Sequence, residues 1–110
     1  MILKDKVAVI TGSERGIGRA IAIAYAQQGA SVVVNYVQSE QPAAEVVREI
    51  HGAGGAAAAI QADIANLSEH NRLLDGAIEK FQGLDILVNN AGFRWTNPSL
   101  MPGRKPGILL

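Results

Sequence analysis

The 110-residue sequence contains no cysteine. Disulfides and thiolate metal sites are therefore excluded, and the absence is compatible with a reducing compartment without demanding one. Charge of either sign in excess is also missing, because ten lysines and arginines balance ten aspartates and glutamates. A formal charge of zero gives no electrostatic reason to expect a nucleic-acid partner. Long hydrophobic runs are absent as well. Val7–Ile10 is too short for a signal-peptide core or a membrane span, and no small-residue cleavage site follows the opening lysines. The expectation is a cytoplasmic protein without a membrane partner. With 48% apolar and 18% charged residues the chain reads as globular, and its length suits one domain.

What the chain does contain is a regular alternation. The continuous apolar run Val7–Ile10 suits a strand buried on both faces, as in a parallel sheet. From Ile17 the spacing changes: Ile17, Ala20, Ile21, Ala24 and Tyr25 fall on one face of a helix, with Gly29 suited to its C-terminal cap. Ser31–Tyr36 is a β-branched strand. Ser39 can cap a second helix that tolerates Pro42 in its first turn and buries Ala43, Val46, Val47 and Ile50. Gly52-Ala53-Gly54-Gly55 ends that helix. Residues 56–62 form a weak alanine-rich strand, assigned from its place between two helices. Asn66, three residues before Glu69, resembles a capping box for a third helix. Leu74, Ala77, Ile78 and Phe81 give that helix its stripe and Gly83 its stop, before a fourth strand at 84–88. The order βαβαβαβ predicts an α/β fold: a Rossmann-type doubly wound parallel sheet, incomplete at four strands and three helices, in strand order 3-2-1-4.

Thr11-Gly12-Ser13-Glu14-Arg15-Gly16-Ile17-Gly18 lies between the first strand and the first helix. A sharp strand-to-helix turn favours residues that accept positive φ. A diphosphate reaches backbone N–H groups only where no Cβ intervenes, and the helix N-terminus adds unpaired donors and a partial positive charge. A plain glycine-rich turn is the bland alternative, but the position after the first strand of a β-α-β unit favours nucleotide binding. A P-loop fits poorly, since no Gly-Lys-Ser/Thr follows.

These residues resemble the short-chain dehydrogenase/reductase family. The resemblance rests on Thr-Gly-x-x-x-Gly-x-Gly at 11–18, Asp63-Ile64 after the third strand and Asn89-Asn90-Ala91-Gly92 at the end of the fourth, all in order and in register. It runs from about Leu3 to Gly92 and is similar to the 3-oxoacyl-carrier-protein reductase and sugar or alcohol dehydrogenase branches without choosing among them. It implies that Asp63, with Ile64, meets adenine, whose amino group is a donor suited to a carboxylate; a simple turn aspartate is the alternative. It implies further that Asn90, Ala91 and Gly92 line the adenosine ribose, that Asn89 and Asn90 tie neighbouring strands, and that Asp85 is structural. A methyltransferase of related fold is disfavoured by residues 89–92.

The expected ligand is a nicotinamide dinucleotide. NAD-selective sites usually carry an acid at the end of the second strand. Here that strand ends in Asn35 and Tyr36, with no acid. Together with Arg15 in the turn and the Ser39 hydroxyl, this points to NADP, with NAD as the alternative. Glu14 opposes that preference unless it faces solvent, and Arg15 could instead be a solvated turn residue.

The resemblance implies a catalytic tyrosine with a lysine four residues later, an orienting serine and a further asparagine. Tyr25 and Tyr36 are the two tyrosines, and Gly29 and Glu40 stand four residues beyond them. No catalytic residue is assigned. His51 and His70 lie apart on predicted helices, and surface or helix-end roles are favoured over a metal site. The domain is expected over 1–92, with an irregular tail over 93–110 because Pro98, Pro102 and Pro106 forbid a stable helix. Trp95 is expected on the sheet edge, and Arg94, Arg104 and Lys105 in solvent. The chain is expected to be a truncated family member: an oxidoreductase by family, or an inactive nucleotide-binding fragment or remnant. Its fourth strand would then be an exposed edge, prone to self-association, whereas full-length relatives would be homo-oligomers. The substrate is not legible.

Overall fold

The computed structural model describes residues 1–90 and 108–109. Four parallel strands form the sheet's body: β1 (Val7–Ile10), β2 (Ser31–Tyr36), β3 (Ala56–Gln61) and β4 (Ile86–Val88). They alternate with α1 (Gly16–Gln27), α2 (Glu40–Gly52) and α3 (Leu67–Phe81), and β5 (Ile108–Leu109) follows. The spatial order is β3-β2-β1-β4-β5. β1 is central, with Ala8 beside both Val32 and Ile86.

The sheet separates two apolar layers by the two-residue period of its strands. Ala8, Ile10, Val32, Val34, Ile86 and Val88 face one way and pack with Ala22 and Ala26 of α1 and Ala43, Val46 and Ile50 of α2. Val9, Val33 and Leu87 face the other way, against Leu73, Leu74 and Ala77 of α3. Both layers use β1, β2 and β4, which explains their unbroken apolar runs. Asp85 joins the two central strands at their start: its Oδ2 accepts from the Val7 N–H at 2.8 Å, and its own N–H donates to the Val7 carbonyl at 2.9 Å.

Several local expectations change. The buried face of α1 is Gly18, Ala22 and Ala26, while Ile17, Ala20 and Ala24 are exposed. The helix is apolar almost all round, so periodicity could not orient it; the face turned to the sheet carries only glycine and alanine as buried residues, which allows close approach. In α3, Leu73 is buried beside Leu74 and Ala77, and Ile78 is exposed. Gln82, not Gly83, takes the left-handed position that ends α3, at φ 62°. The fourth strand is not an open border, because β5 pairs with Ile86 and Leu87. Backbone groups along a strand edge recruit a further strand, and Ile108–Leu109 supplies one. Trp95, Pro98, Pro102, Pro106, Arg94, Arg104 and Lys105 lie outside the described residues.

Asn66 does cap α3, its Oδ1 accepting from the N–H groups of Ser68 at 3.0 Å and Glu69 at 3.4 Å. The reciprocal half of the box is absent, since Glu69 Oε1 accepts from the Asp63 N–H instead, at 3.0 Å. Asn66→Ala is expected to destabilise the chain by about 1 kcal/mol. In a thermal melt that corresponds to a Tm lowered by roughly 4–8 °C for a domain of this size.

Candidate functional site

The bend between β1 and α1 sits at the carboxyl ends of the strands, where doubly wound sheets receive ligands. Its shape is set by groups on three strands. Thr11, fully buried, donates its N–H to the Val88 carbonyl at 3.0 Å, and its Oγ1 accepts from the Asn90 N–H at 2.9 Å. Gly12, at φ 60°, is gripped on both sides. Its N–H donates to Asn35 Oδ1 at 3.1 Å, and its carbonyl accepts from Asn90 Nδ2 at 3.2 Å. Ser13 Oγ donates to the Ile10 carbonyl at 2.6 Å and accepts from the Asn35 N–H at 3.1 Å.

Asn35 and Ser13 are completely buried. The remaining Asn35 donors go to the carbonyls of Tyr36, Ile60 and Ala62 at 3.4, 3.3 and 3.1 Å. Both side chains therefore hold the bend from beneath, and their polar capacity is spent on protein. Thr11 was not singled out from the sequence as a site residue, yet it joins the bend to the exit of β4. A hydroxyl residue closing an apolar run was the available signal.

Two glycines have separate reasons to be glycine. At Gly18 a Cβ would stand 2.5 Å from both Asn90 Nδ2 and the Gly12 carbonyl oxygen, so the start of α1 lies directly under the bend. Gly16 has φ 64°, and a Cβ there would meet nothing within 4 Å, so it borders open space. The N-cap of α1 is Arg15, whose side chain makes no cap hydrogen bond. Among the described residues no acceptor takes the N–H groups of Gly16, Ile17 or Gly18; the first bond of the helix runs from Arg19 N–H to the Arg15 carbonyl at 3.3 Å. A helix left uncapped forgoes about 1 kcal/mol. In exchange the first donors of the helix and the positive end of its macrodipole stay uncommitted beside the bend. Ile17 stands beside them, 74% exposed.

The rim of the site is formed by the ends of β2 and β3. Arg15 Nη2 donates to Ser39 Oγ at 3.1 Å, across from the bend to the start of α2. Ser39 occupies the N-cap position as expected, but its side chain makes no cap bond to α2, because the hydroxyl serves Arg15. Tyr36 is half-buried, packed against the layer under α1 and α2. Glu14, partly covered in the bend, has its pKa raised by burial, with Arg15 beside it acting in the opposite direction. Asp63 is exposed, and its Oδ1 accepts from the Ala65 N–H at 3.1 Å; Ile64 packs under α3. Ala91 and Gly92 lie outside the described residues. Gly12, Gly16, Gly18, Arg15, Ser39 and Asn90 are thus brought together around one bend. These residues fit a dinucleotide: the free N–H groups and open glycine suit a diphosphate, and the Arg15–Ser39 pair suits an added phosphate.

Other places in the chain fit less well. A cleft of about 430 Å³ lies at the opposite ends of the strands, lined by Met1, Lys4, Gly29, Ile50 and Gly54 among others. It is on the wrong side of the sheet for a nucleotide. Among the described residues no three His, Asp or Glu side chains gather as metal ligands, and no helix is long and apolar enough to cross a membrane. His51 Nε2 lies 3.0 Å from the Ala57 carbonyl.

Comparison with known proteins agrees with this geometry. The family described as short chain dehydrogenase matches residues 6–102. The chain is 53% identical over 90 residues to the short chain dehydrogenase/reductase AacuN of Aspergillus aculeatus, covering 82% of this chain and 34% of that protein. It is 50% identical over 90 residues to a 3-oxoacyl-[acyl-carrier-protein] reductase of Synechocystis, covering 82% of this chain and 36% of that protein. The chain thus spans about a third of the length of these curated relatives. Among solved structures, a short chain dehydrogenase from Burkholderia cenocepacia in complex with NADP superposes with a TM-score of 0.81 at 44% identity, covering 91% of this chain and 41% of that one. A hydroxysteroid dehydrogenase from Escherichia coli gives 0.78 at 47% identity, covering 91% and 42%. With the bend, the strand order and the three motifs in agreement, the chain belongs to the short-chain dehydrogenase family.

Proposed function

We propose that this chain holds the adenosine diphosphate portion of NADP, within an oxidoreductase that moves hydride between NADP(H) and a carbonyl or alcohol. The observation that carries the reading is the uncapped start of α1 beneath a glycine bend, with Arg15 and Ser39 3.1 Å apart at its rim. The N–H groups of Gly16, Ile17 and Gly18 would receive the diphosphate. Arg15 and the Ser39 hydroxyl would take the 2′-phosphate, and no acid at the end of β2 repels it. Asp63 has Oδ2 without a partner among the described residues and would accept from the adenine amino group. Asn90, with Ala91 and Gly92, would border the ribose. Bound NADPH supplies hydride chemistry; these residues bind and orient.

The acid–base step needs groups that this sequence does not contain. Catalysis of carbonyl reduction calls for a proton donor with a pKa near working pH, and a cation beside a phenol provides it. Tyr25 and Tyr36 are both half-buried and neither has a lysine four residues on. The 110 residues alone are therefore assigned binding and no turnover, and hydride transfer belongs to the longer family architecture.

Titration should rank NADPH above NADH, and adenosine 2′,5′-bisphosphate above 5′-AMP. Arg15→Ala is expected to weaken NADPH about 10- to 100-fold, the value of a charge-assisted phosphate contact, with little effect on NADH. Equal affinities, or an unchanged NADPH affinity in Arg15→Ala, would exclude the NADP assignment.

Glu14 adds a pH dependence. Its carboxyl is held above the usual carboxylate range by burial, so it ionises later than in the unfolded chain. The folded state binds the extra proton between the two values, so stability falls as pH rises through that window. The same ionisation sets a negative charge beside the proposed phosphates. NADPH affinity is expected to drop as pH rises through the Glu14 pKa, and Glu14→Gln should tighten binding a few-fold above it while leaving affinity unchanged below. An identical pH profile in the variant would remove Glu14 from the site.

A further inference from the structure

β3 is one border of the sheet, with β2 as its hydrogen-bonded neighbour. Along a strand, successive residues turn their N–H and C=O groups to opposite sides. Asn35, on β2, donates to the carbonyls of Ile60 and Ala62, and the Ala62 N–H donates to Tyr36 on β2. Even-numbered residues therefore face the sheet, and Ala57, Ala59 and Gln61 face outward. Such an outward row is a template for another strand. The usual deterrents are missing from the strand itself. Ala56–Gln61 has no charged residue and no proline, and its register with β2 runs without a bulge from Ser31↔Ala56 to Tyr36↔Gln61.

Two side chains close the row from helices on opposite faces of the sheet. His51, in the last turn of α2, places Nε2 3.0 Å from the Ala57 carbonyl. Arg72, on α3, donates from Nη2 to the Gln61 carbonyl at 2.7 Å and lies 3.4 Å from Gln61 Oε1. Glu69 Oε1 stands 3.6 Å from the same guanidinium nitrogen. The two carbonyls belong to the same outward row, four residues apart, with Ala59 between them. The Ala57 carbonyl can only accept, so the contact uses a ring that carries its proton on Nε2.

We propose that His51 and Arg72 are edge guards, closing the outer border of β3 against strand addition by a second copy of this chain. The strand is its own complement. Antiparallel pairing about Ala59 sets Ala57 opposite Gln61 and Ala58 opposite Ile60, each twice, with no charges along the run and an alanine facing each of its two larger side chains. In that arrangement each end of the new ladder meets His51 of one copy and Arg72 of the other. Both guards must leave their carbonyls before the ladder can close. Two carbonyls of the outward row are thus engaged from within the chain, by side chains of α2 and α3, where other edge strands rely on their own lysines or prolines.

The absence of cysteine makes the test direct. Ala59→Cys places one thiol at the proposed two-fold centre, and a short bismaleimide reports two copies paired there. With the guards present, cross-linked dimer should be scarce. With His51→Ala and Arg72→Ala added, its fraction should rise severalfold, and sedimentation velocity should show a concentration-dependent dimer. Adding Ala59→Pro to the double variant, in place of the cysteine, should abolish that dimer, because proline offers no N–H to a ladder. If the double variant does not fold, each single variant carrying Ala59→Cys should still cross-link more than the guarded chain. Equal cross-linking with and without guards, no increase in either single variant, or a dimer that survives Ala59→Pro overturns the proposal.

Discussion

The structure depends on the grip on Gly12. A residue at the end of the central strand is held on both of its flanking peptide units by side-chain amides, Asn35 on β2 and Asn90 beyond β4. The grip fixes where β1 ends and directs the chain into α1. It also requires that nothing project from Gly18, where a Cβ would stand 2.5 Å from the Asn90 amide. A buried amide, a half-buried one, a buried serine and a glycine without a side chain thus share one small volume. Asn35 is the costliest of them to bury, and the cost is offset because its amide oxygen and nitrogen both find partners. Among the described residues no buried side-chain polar atom is left without one.

The grip has an electrostatic consequence. Because the bend is held by strands and not by a helix cap, α1 can begin with its first N–H groups unengaged among the described residues. Held donors that need no rearrangement are what a diphosphate rewards, since the ordering is completed on folding and not on binding. Arg15 is then free to reach sideways to Ser39, which spends its hydroxyl on the guanidinium in place of capping α2. The opposing influence is Glu14, adjacent in the chain and partly desolvated. The two side chains set opposite charges at the bend, so the proposed preference for NADP over NAD would be a difference of modest charge effects.

Much of this was legible in the sequence where local and global demands agreed. Val7–Ile10 and Ser31–Tyr36 are strands in sequence and in space because a central parallel strand is buried on both faces and must be apolar throughout. The glycine spacing announced the bend because only glycine tolerates both the backbone at Gly16 and the crowding at Gly18. Legibility failed where several answers shared one pattern. The helix α1 is apolar on nearly every side, so its buried face could not be read, and Ile17 and Ala24 proved exposed. Ser39 and Glu69 looked like caps, but long-range partners, Arg15 and the Asp63 N–H, claimed their oxygens. The guards at Ala57 and Gln61 left no local trace, since His51 and Arg72 act across elements.

The most direct test follows backbone amide resonances of the chain during titration with NADPH. The account predicts that the largest shifts fall on Gly16, Ile17 and Gly18, with Gly12 moving through its grip, while Gly29 and Gly54 at the far ends of the strands stay still. Shifts concentrated at Gly29 and Gly54, with Gly16 to Gly18 unmoved, would contradict it and leave the bend as a structural corner alone.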